Sequence, residues 1–519
     1  MNLRPEDLEQ INQLGMKLEK VLQQIDLFQR PPAYLRLLRP CTVGDGISVL
    51  SSDQTEPLIS LYEQNSKGRA IKFIPASGAA TRMFKPLLNF IGQQEPINRV
   101  LLEKTAAQGN KESRDLLAFM EGIREFAFFD DLDSVISAAG FRLESLLRQD
   151  QFKKILAFLL LEPGLDYLNL PKGLIQFHRY VTENRTAFEE HLVEAVDYVA
   201  DARRKCRLHF TVSPDSLKLF QAFLGRMGPA IEKRFNVSLK VTFSLQKSST
   251  DTIAVDFENR PFRLEDGKLL FRPAGHGALI ENLNDLEGDI LFIKNIDNVV
   301  PDRLKPEMTR WKKILGGYLL FLQDRIFRAV DKLSPEEIDD QTETEITRFL
   351  NEELYVELPP FFSQFTPREK RRILMERLNR PLRVCGMVKN VGEPGGGPFW
   401  VSDKEGGSSL QIVESAQVDP FSAEQKGIMG GATHFNPVDI VCGVKDRWGK
   451  SFDLCTFVDS QACIITQKSN DGIDLKALEL PGLWNGGMAD WITVFLEVPL
   501  ETFNPVKTVN DLLRESHQP

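Results

Sequence analysis

The run Ile71-Lys72-Phe73-Ile74-Pro75-Ala76-Ser77-Gly78-Ala79-Ala80-Thr81-Arg82-Met83 reads as a strand, a loop of small residues and the start of a helix. Ile71, Phe73 and Ile74 supply the buried strand, Ala76, Ser77, Gly78 and Ala79 let the backbone turn tightly, and Thr81 and Arg82 open an apolar helical segment. Such a loop can cradle an anion: backbone N–H groups, the positive end of the helix dipole and one arginine converge on phosphate oxygens, and larger side chains would block the approach. A tight turn carrying a surface arginine would use the same residues, so the motif needs its context. A second candidate is Gly288-Asp289-Ile290-Leu291-Phe292-Ile293-Lys294-Asn295-Ile296-Asp297-Asn298, in which an apolar strand delivers Asp297 at its carboxyl end. That placement suits magnesium, a hard cation that takes carboxylate oxygen together with substrate phosphates, although an aspartate that only caps the following turn would look the same. In Gly395-Gly396-Gly397 the backbone can lie against a ligand, and the carboxylate of Glu414 can accept from two hydroxyls.

The loop resembles the signature of the sugar-nucleotide pyrophosphorylases, Ala-x-Gly-x-Gly-Thr-Arg-(Leu/Met) followed by Pro-Lys. It departs from that signature in two ways. Ala80 replaces the last glycine, where a left-handed backbone would be strained by a Cβ, and the Pro-Lys is displaced. Lys85-Pro86 is inverted and too close, whereas Pro171-Lys172-Gly173-Leu174-Ile175 is similar to the form found in the uridylyltransferases of the family. The resemblance therefore implies an inserted segment between the two halves of the signature, with Lys172 beside the Gly78 loop. Further islands follow in the family's order. Gln246 and the turn Pro273-Ala274-Gly275-His276-Gly277-Ala278 resemble the residues that read the nucleotide base. Gly396, Glu414, Asn436 in His434-Phe435-Asn436-Pro437, and Asn485 in Leu483-Trp484-Asn485-Gly486-Gly487-Met488 resemble sugar-binding residues.

By this resemblance, closest in wording to the UDP-sugar pyrophosphorylases but divergent, the chain would join a nucleoside triphosphate, with UTP expected, to a sugar 1-phosphate and release pyrophosphate. Arg82 would meet the pyrophosphate, Lys172 the α-phosphate, and Asp297 a Mg2+ ion. Ala76, Ser77, Gly78, Ala79 and Thr81 would bind nucleotide with Gln246, Gly275, His276 and Gly277. The alternative is a non-catalytic nucleotide-sugar-binding protein on the same scaffold, which Ala80 and the split signature favour.

The elements that must position these residues follow from periodicity. Leu8, Ile11, Leu14, Leu18, Leu22 and Ile25 predict a packing helix over 5–29, and residues 33–70 read as irregular. Residues 97–169 carry helical spacing, for example Leu116, Leu117, Met120, Ile123 and Phe126. A helix over 184–201 has an apolar face of Phe188, Leu192, Ala195, Val196 and Val199 and is read as core and solvated surface without chemistry. Strand, helix and strand then alternate through 207–245, which implies a parallel or mixed sheet with ligands beyond the carboxyl ends of its strands. The expected fold is therefore α/β with a mixed sheet, and the resemblance implies that this sheet is mostly parallel, glycosyltransferase-A-like and Rossmann-like. Its expected divisions are an N-terminal helical extension (1–69), an α/β domain (70–500) holding a helical insertion (97–169) and a helical segment (302–380), and a C-terminal tail (501–519).

Composition narrows the function classes. The 519 residues are 42% hydrophobic and 26% charged, ordinary globular values. A net charge of −9 and a pI near 5.5 argue against nucleic acid or an anionic membrane as the main partner. The six cysteines form no C-x-x-C pair and the six histidines no H-x-x-x-H, so zinc and a disulfide framework are not expected. Charges at Arg4, Glu6, Asp7 and Glu9 stand where a signal peptide would be apolar, which together with the cysteines predicts a cytoplasmic protein.

Overall fold

A computed structural model describes residues 3–31, 34–93, 97–392, 395–402, 406–435 and 439–519. The chain forms two compact units, each assembled from three separate stretches: 1–73, 244–293 and 311–500 in the first, and 74–243, 294–310 and 501–519 in the second.

In the first unit the central sheet runs in the order Thr42–Val43, Gly46–Ser48, Ile492–Glu497, Leu382–Met387, Asp439–Gly443, Ile290–Ile293 and Ala70–Pro75. Only Asp439–Gly443 is antiparallel to its neighbours. The other pairs are parallel, so the sheet is mixed and mostly parallel, as expected for an α/β protein. The central strands are buried on both faces, which explains why Ile290–Ile293 and Asp439–Gly443 read as apolar runs rather than alternations. Ile71, Phe73, Leu291, Ile293, Cys385, Met387, Cys442 and Phe495 join Leu483, Met488 and Trp491 in one core cluster. A three-stranded antiparallel sheet of Leu37–Pro40, Gly397–Ser402 and Ser408–Val413 carries Gly396 and Glu414 at its ends. A hairpin of Ile464–Asn470 and Ile473–Glu479 turns on Asp471 and Gly472, both with positive φ (48° and 81°).

The second unit contains the strand Lys205–Val212, the paired strands Gln176–Arg179 and Asn184–Thr186, and most of its helices between residues 81 and 235. Within 97–169 there are five α-helices: Arg99–Ala107, Lys111–Glu121, Phe129–Ala138, Leu143–Arg148 and Phe152–Leu160. Among the described residues no helix is long and apolar enough to cross a membrane.

Three expectations about elements are corrected. The single helix over 5–29 is two, Pro5–Gln13 and Leu18–Gln29, because Gly15 takes a left-handed backbone (φ 70°) between them. Residues 33–70 are not irregular and 1–69 is not a helical extension. Ser52–Asn65 is a helix, and Gly46–Ser48 pairs with Ile492–Glu497 in the central sheet; strands of two or three residues leave no periodicity to read. Residues 501–519 are no loose tail, since Val506, Val509, Leu512 and His517 are buried within the second unit.

Candidate active site

The loop that follows Ala70–Pro75 begins in the second unit. The Ala76 N–H donates to the Thr211 carbonyl (2.8 Å), which ties the loop to the end of Lys205–Val212. Ser77 and Ala79 are exposed, and a Cβ built on Gly78 meets nothing within 4 Å, so the loop presents backbone to open space. Ala80 sits at φ −72°, ψ −10°, an ordinary helical conformation. The glycine of the family pattern is not required there, and the strain that favoured a non-catalytic reading is absent. The helix Thr81–Ile91 starts with Thr81 and Arg82 exposed and no acidic residue in its first turn. Arg82 makes no hydrogen bond or ion pair with a described residue, and Lys85 is exposed one turn further along.

Lys172 lies against this loop, 94 residues on from Gly78 (172 less 78). Its N–H donates to the Gly78 carbonyl (3.1 Å), the Ala80 N–H donates to Leu170 (3.4 Å), and Ala79 and Pro171 form an isolated antiparallel bridge. The Lys172 Nζ donates to Asp297 Oδ2 at 2.8 Å, with both side chains only 12–13% exposed. Lys507 brings a second cation to the same oxygen at 3.6 Å, and the Val506 N–H donates to the Asp297 carbonyl (3.1 Å). Burial alone would push the Asp297 carboxyl up, but Lys172 and Lys507 outweigh it and hold it below the usual carboxylate range. Burial pulls the Lys172 ammonium below its usual range against the opposing effect of Asp297. The second carboxylate oxygen, Asp297 Oδ1, is buried without a hydrogen-bond partner among the described residues. It is an orphaned anionic acceptor and fits one ligand position of a divalent cation whose other ligands come from phosphate or water. No group of three acidic, histidine or cysteine side chains among the described residues makes a self-sufficient metal cage.

The residues matched to base and sugar recognition lie in the first unit, where His276, Glu414, Trp484 and Asn485 come together. Gly275 has φ 77°, and a Cβ on Gly277 would lie 2.2 Å from the Pro481 carbonyl oxygen, so the glycines let this turn pack on 480–482. The His276 ring stacks on Trp484 (centroids 4.4 Å, 26°), and its Nδ1 accepts from the Leu483 N–H (3.0 Å). An accepting Nδ1 leaves the neutral ring its proton on Nε2, which faces Glu414 Oε1 at 3.7 Å. Asn485 donates to the Ile412 carbonyl (2.9 Å), and its Oδ1 is buried without a partner. A Cβ on Gly396 would stand 1.9 Å from the Val413 carbonyl oxygen, so this glycine serves backbone packing beside Glu414. Gln246 follows Ser238–Leu245, where Asn282 binds Ser244 and Leu245, and its Nε2 is buried without a partner. Asn436 lies outside the described residues. His434 is buried between Thr433 Oγ1 and Glu497 Oε2, both at 2.9 Å.

Sequence reasoning missed two groups. Lys507 stands in a segment with no motif. The helix Ala187–Val196 has no solvated face at all, because every one of its residues is buried, including Glu189, Glu190, His191 and Glu194. Glu190 accepts from His178 (2.9 Å) and Tyr180 (2.6 Å) and pairs with Lys305, while His178 Nε2 meets His517 Nδ1 at 2.9 Å. Charges every third or fourth residue read as a wet face; only the neighbours show that they are an internal network.

No curated protein matches the chain in sequence. Among solved structures, an inhibitor complex of the uridine diphosphate N-acetylglucosamine pyrophosphorylase from Trypanosoma brucei is similar at 12% identity and TM-score 0.45, covering 96% of this chain and 73% of that chain. A UDP-glucose pyrophosphorylase mutant from Leishmania major in complex with UDP-glucose is similar at 11% identity and TM-score 0.43, covering 98% and 77%. A UDP-glucose phosphorylase from Trypanosoma brucei is similar at 13% identity and TM-score 0.41, covering 99% and 80%. The sequence profile of the family described as domain of unknown function (DUF4301) matches residues 4–518, and the chain belongs to that family.

Proposed function

We propose that this protein is a nucleotidyltransferase that forms a nucleoside-diphosphate sugar from a nucleoside triphosphate, UTP by the wording of its motifs, and a sugar 1-phosphate. The observation that carries this reading is the assembly of Lys172, Lys507 and Asp297 in the second unit, with Lys172 bonded to the Gly78 loop although it is distant in sequence. In the reaction an oxygen of the sugar phosphate attacks the α-phosphorus in line, a new phosphorus–oxygen bond forms, the bond to the bridging oxygen breaks, and pyrophosphate departs with the electron pair. No covalent nucleophile is needed, so positioning and charge neutralisation do most of the catalysis.

Lys172 would neutralise the α-phosphate and Arg82 the departing pyrophosphate, with the N–H groups of Ser77, Gly78, Ala79 and Thr81 available to phosphate oxygens, while the Ala76 N–H is already held by the Thr211 carbonyl and shapes the loop. Because Asp297 already holds Lys172, phosphate competes with the carboxylate for the lysine. A magnesium ion bound through Asp297 would supply additional positive charge to the phosphates. Gln246, Gly275, His276 and Gly277 are assigned to the base, and Gly396, Glu414, Asn436 and Asn485 to the sugar, on the motif resemblance.

The test is pyrophosphate release from a panel of nucleoside triphosphates and sugar 1-phosphates with magnesium, in wild type and Asp297→Asn. Turnover with one pair, lost in a folded Asp297→Asn variant together with magnesium affinity measured by calorimetry, is the expected result. Tight binding of a nucleotide sugar without turnover on any pair would instead favour the non-catalytic reading.

A further inference from the structure

Arg383 lies in the central strand Leu382–Met387, and its side chain is fully buried. Its Nε donates to Thr493 Oγ1 (2.8 Å) and its Nη1 to the Trp484 carbonyl (2.6 Å), while Nη2 has no hydrogen-bond partner among the described residues. Among the described residues no carboxylate pairs with it, and its cross-strand neighbours are Cys442 and Thr493. A buried guanidinium without a counter-charge is costly, and an apolar side chain of similar length would fill the space without that cost. Stability does not account for an arginine here.

Its strongest bond does suggest a reason. A charge-assisted donor on the Trp484 carbonyl, with the Asn485 side chain tied to Ile412 on the next residue, fixes two successive residues of the loop. The Trp484 indole then has one place to go, against the His276 ring. We propose that Arg383 is a positioning residue of the His276–Glu414 pair: it anchors the Trp484 carbonyl, the indole backs the imidazole, and the imidazole N–H stays aimed at the carboxylate. A donor and an acceptor 3.7 Å apart are spaced to be bridged by one ligand hydroxyl, which donates to Glu414 and accepts from His276. The ligand class, the sugar part of a nucleotide sugar, rests on the function proposed above. The geometry does not.

The test uses 19F NMR on protein labelled with 5-fluorotryptophan, the Trp484 resonance being assigned by Trp484→Phe. Arg383→Met is expected to melt at or above the wild-type temperature, to move the Trp484 resonance selectively, and to weaken UDP-glucose binding at least tenfold. Arg383→Lys, which can still donate to the carbonyl, should restore much of both. Should the Met variant not fold, Arg383→Gln carries the same comparison. An unmoved Trp484 resonance in a folded variant overturns the proposal, and so does full UDP-glucose affinity alongside a moved one. If the resonance moves but wild type binds no nucleotide sugar, the anchoring stands and the proposed function falls.

Discussion

Arg82 and Lys172 are both cations assigned to phosphate, yet their surroundings differ in a way that separates their effects. Lys172 is buried and paired, so removing it strands the Asp297 carboxylate beside Lys507 and mixes loss of function with loss of structure. Arg82 is exposed and makes no bond with a described residue, so its removal costs the fold almost nothing. Its charge counts most as pyrophosphate gains negative charge in the transition state. Arg82→Ala is therefore expected to lower kcat by about 100-fold or more, the usual effect of losing one preorganised donor, with KM changed far less and an unchanged melting curve. Steady-state kinetics on the active substrate pair measures this. Activity within a few-fold of wild type would mean that the loop does not cradle the phosphate that leaves.

Among the elements, the helix Ala187–Val196 and the 3-10 turn Glu515–His517 share a chain of buried groups whose protonation couples to stability. Burial holds the His517 imidazole down at about 3, and burial likewise holds His178 below its usual range despite Glu190. Both rings take up a proton near pH 6.5 in the unfolded chain, whereas folded His517 does not until about pH 3. Folded His517 thus binds fewer protons between those limits, so stability is intact above pH 6.5 and falls as the pH drops, by up to about 1.4 kcal/mol per unit from His517, with His178 acting in the same direction. Glu190, which burial would raise but Lys305, His178 and Arg185 bring down to about 2, adds a further loss only below the ordinary glutamate range. Denaturant melts at pH 7.5, 6 and 5 should show the first slope, and His517→Asn should make it shallower. An identical slope in the variant would place the responsible groups elsewhere. None of this network was legible in the sequence, because Glu190, His178, Tyr180, Lys305 and His517 share no spacing and meet only through tertiary packing. The loop at 76–82 was legible because its small residues, strand and helix are contiguous, and the Lys172 placement because a five-residue word marked it. The short strands Thr42–Val43 and Gly46–Ser48 were not, since pairing rather than propensity makes them strands.

For the whole molecule, the interleaving of the two units means that neither is a continuous stretch of chain. The second unit is closed by residues 501–519, which bring more than Lys507. Val506, Val509 and Leu512 are 0–1% exposed, the Asn504 N–H donates to Asn298 Oδ1 (2.9 Å), and the Asn510 side chain donates to the Asp115 carbonyl (2.7 Å). Burying three such side chains is worth roughly 5–9 kcal/mol at about 1.5–3 kcal/mol each, comparable with the about 5–15 kcal/mol net stability of a typical domain. A protein ending at Leu500 should therefore lose the second unit's cooperative unfolding, with hydrogen exchange accelerated in Gln176–Arg179, Ala187–Val196 and 294–310. The central strands Leu382–Met387 and Asp439–Gly443, whose neighbours all lie in the first unit, should keep most of their protection. Lys507→Ala in the full-length chain removes the cation without the apolar anchors, and should leave both exchange patterns unchanged while lowering turnover. A truncated protein that retains full protection in Ala187–Val196 would show that the C-terminal segment only decorates the second unit, and Lys507 would then act as an isolated charge rather than through an element the fold depends on.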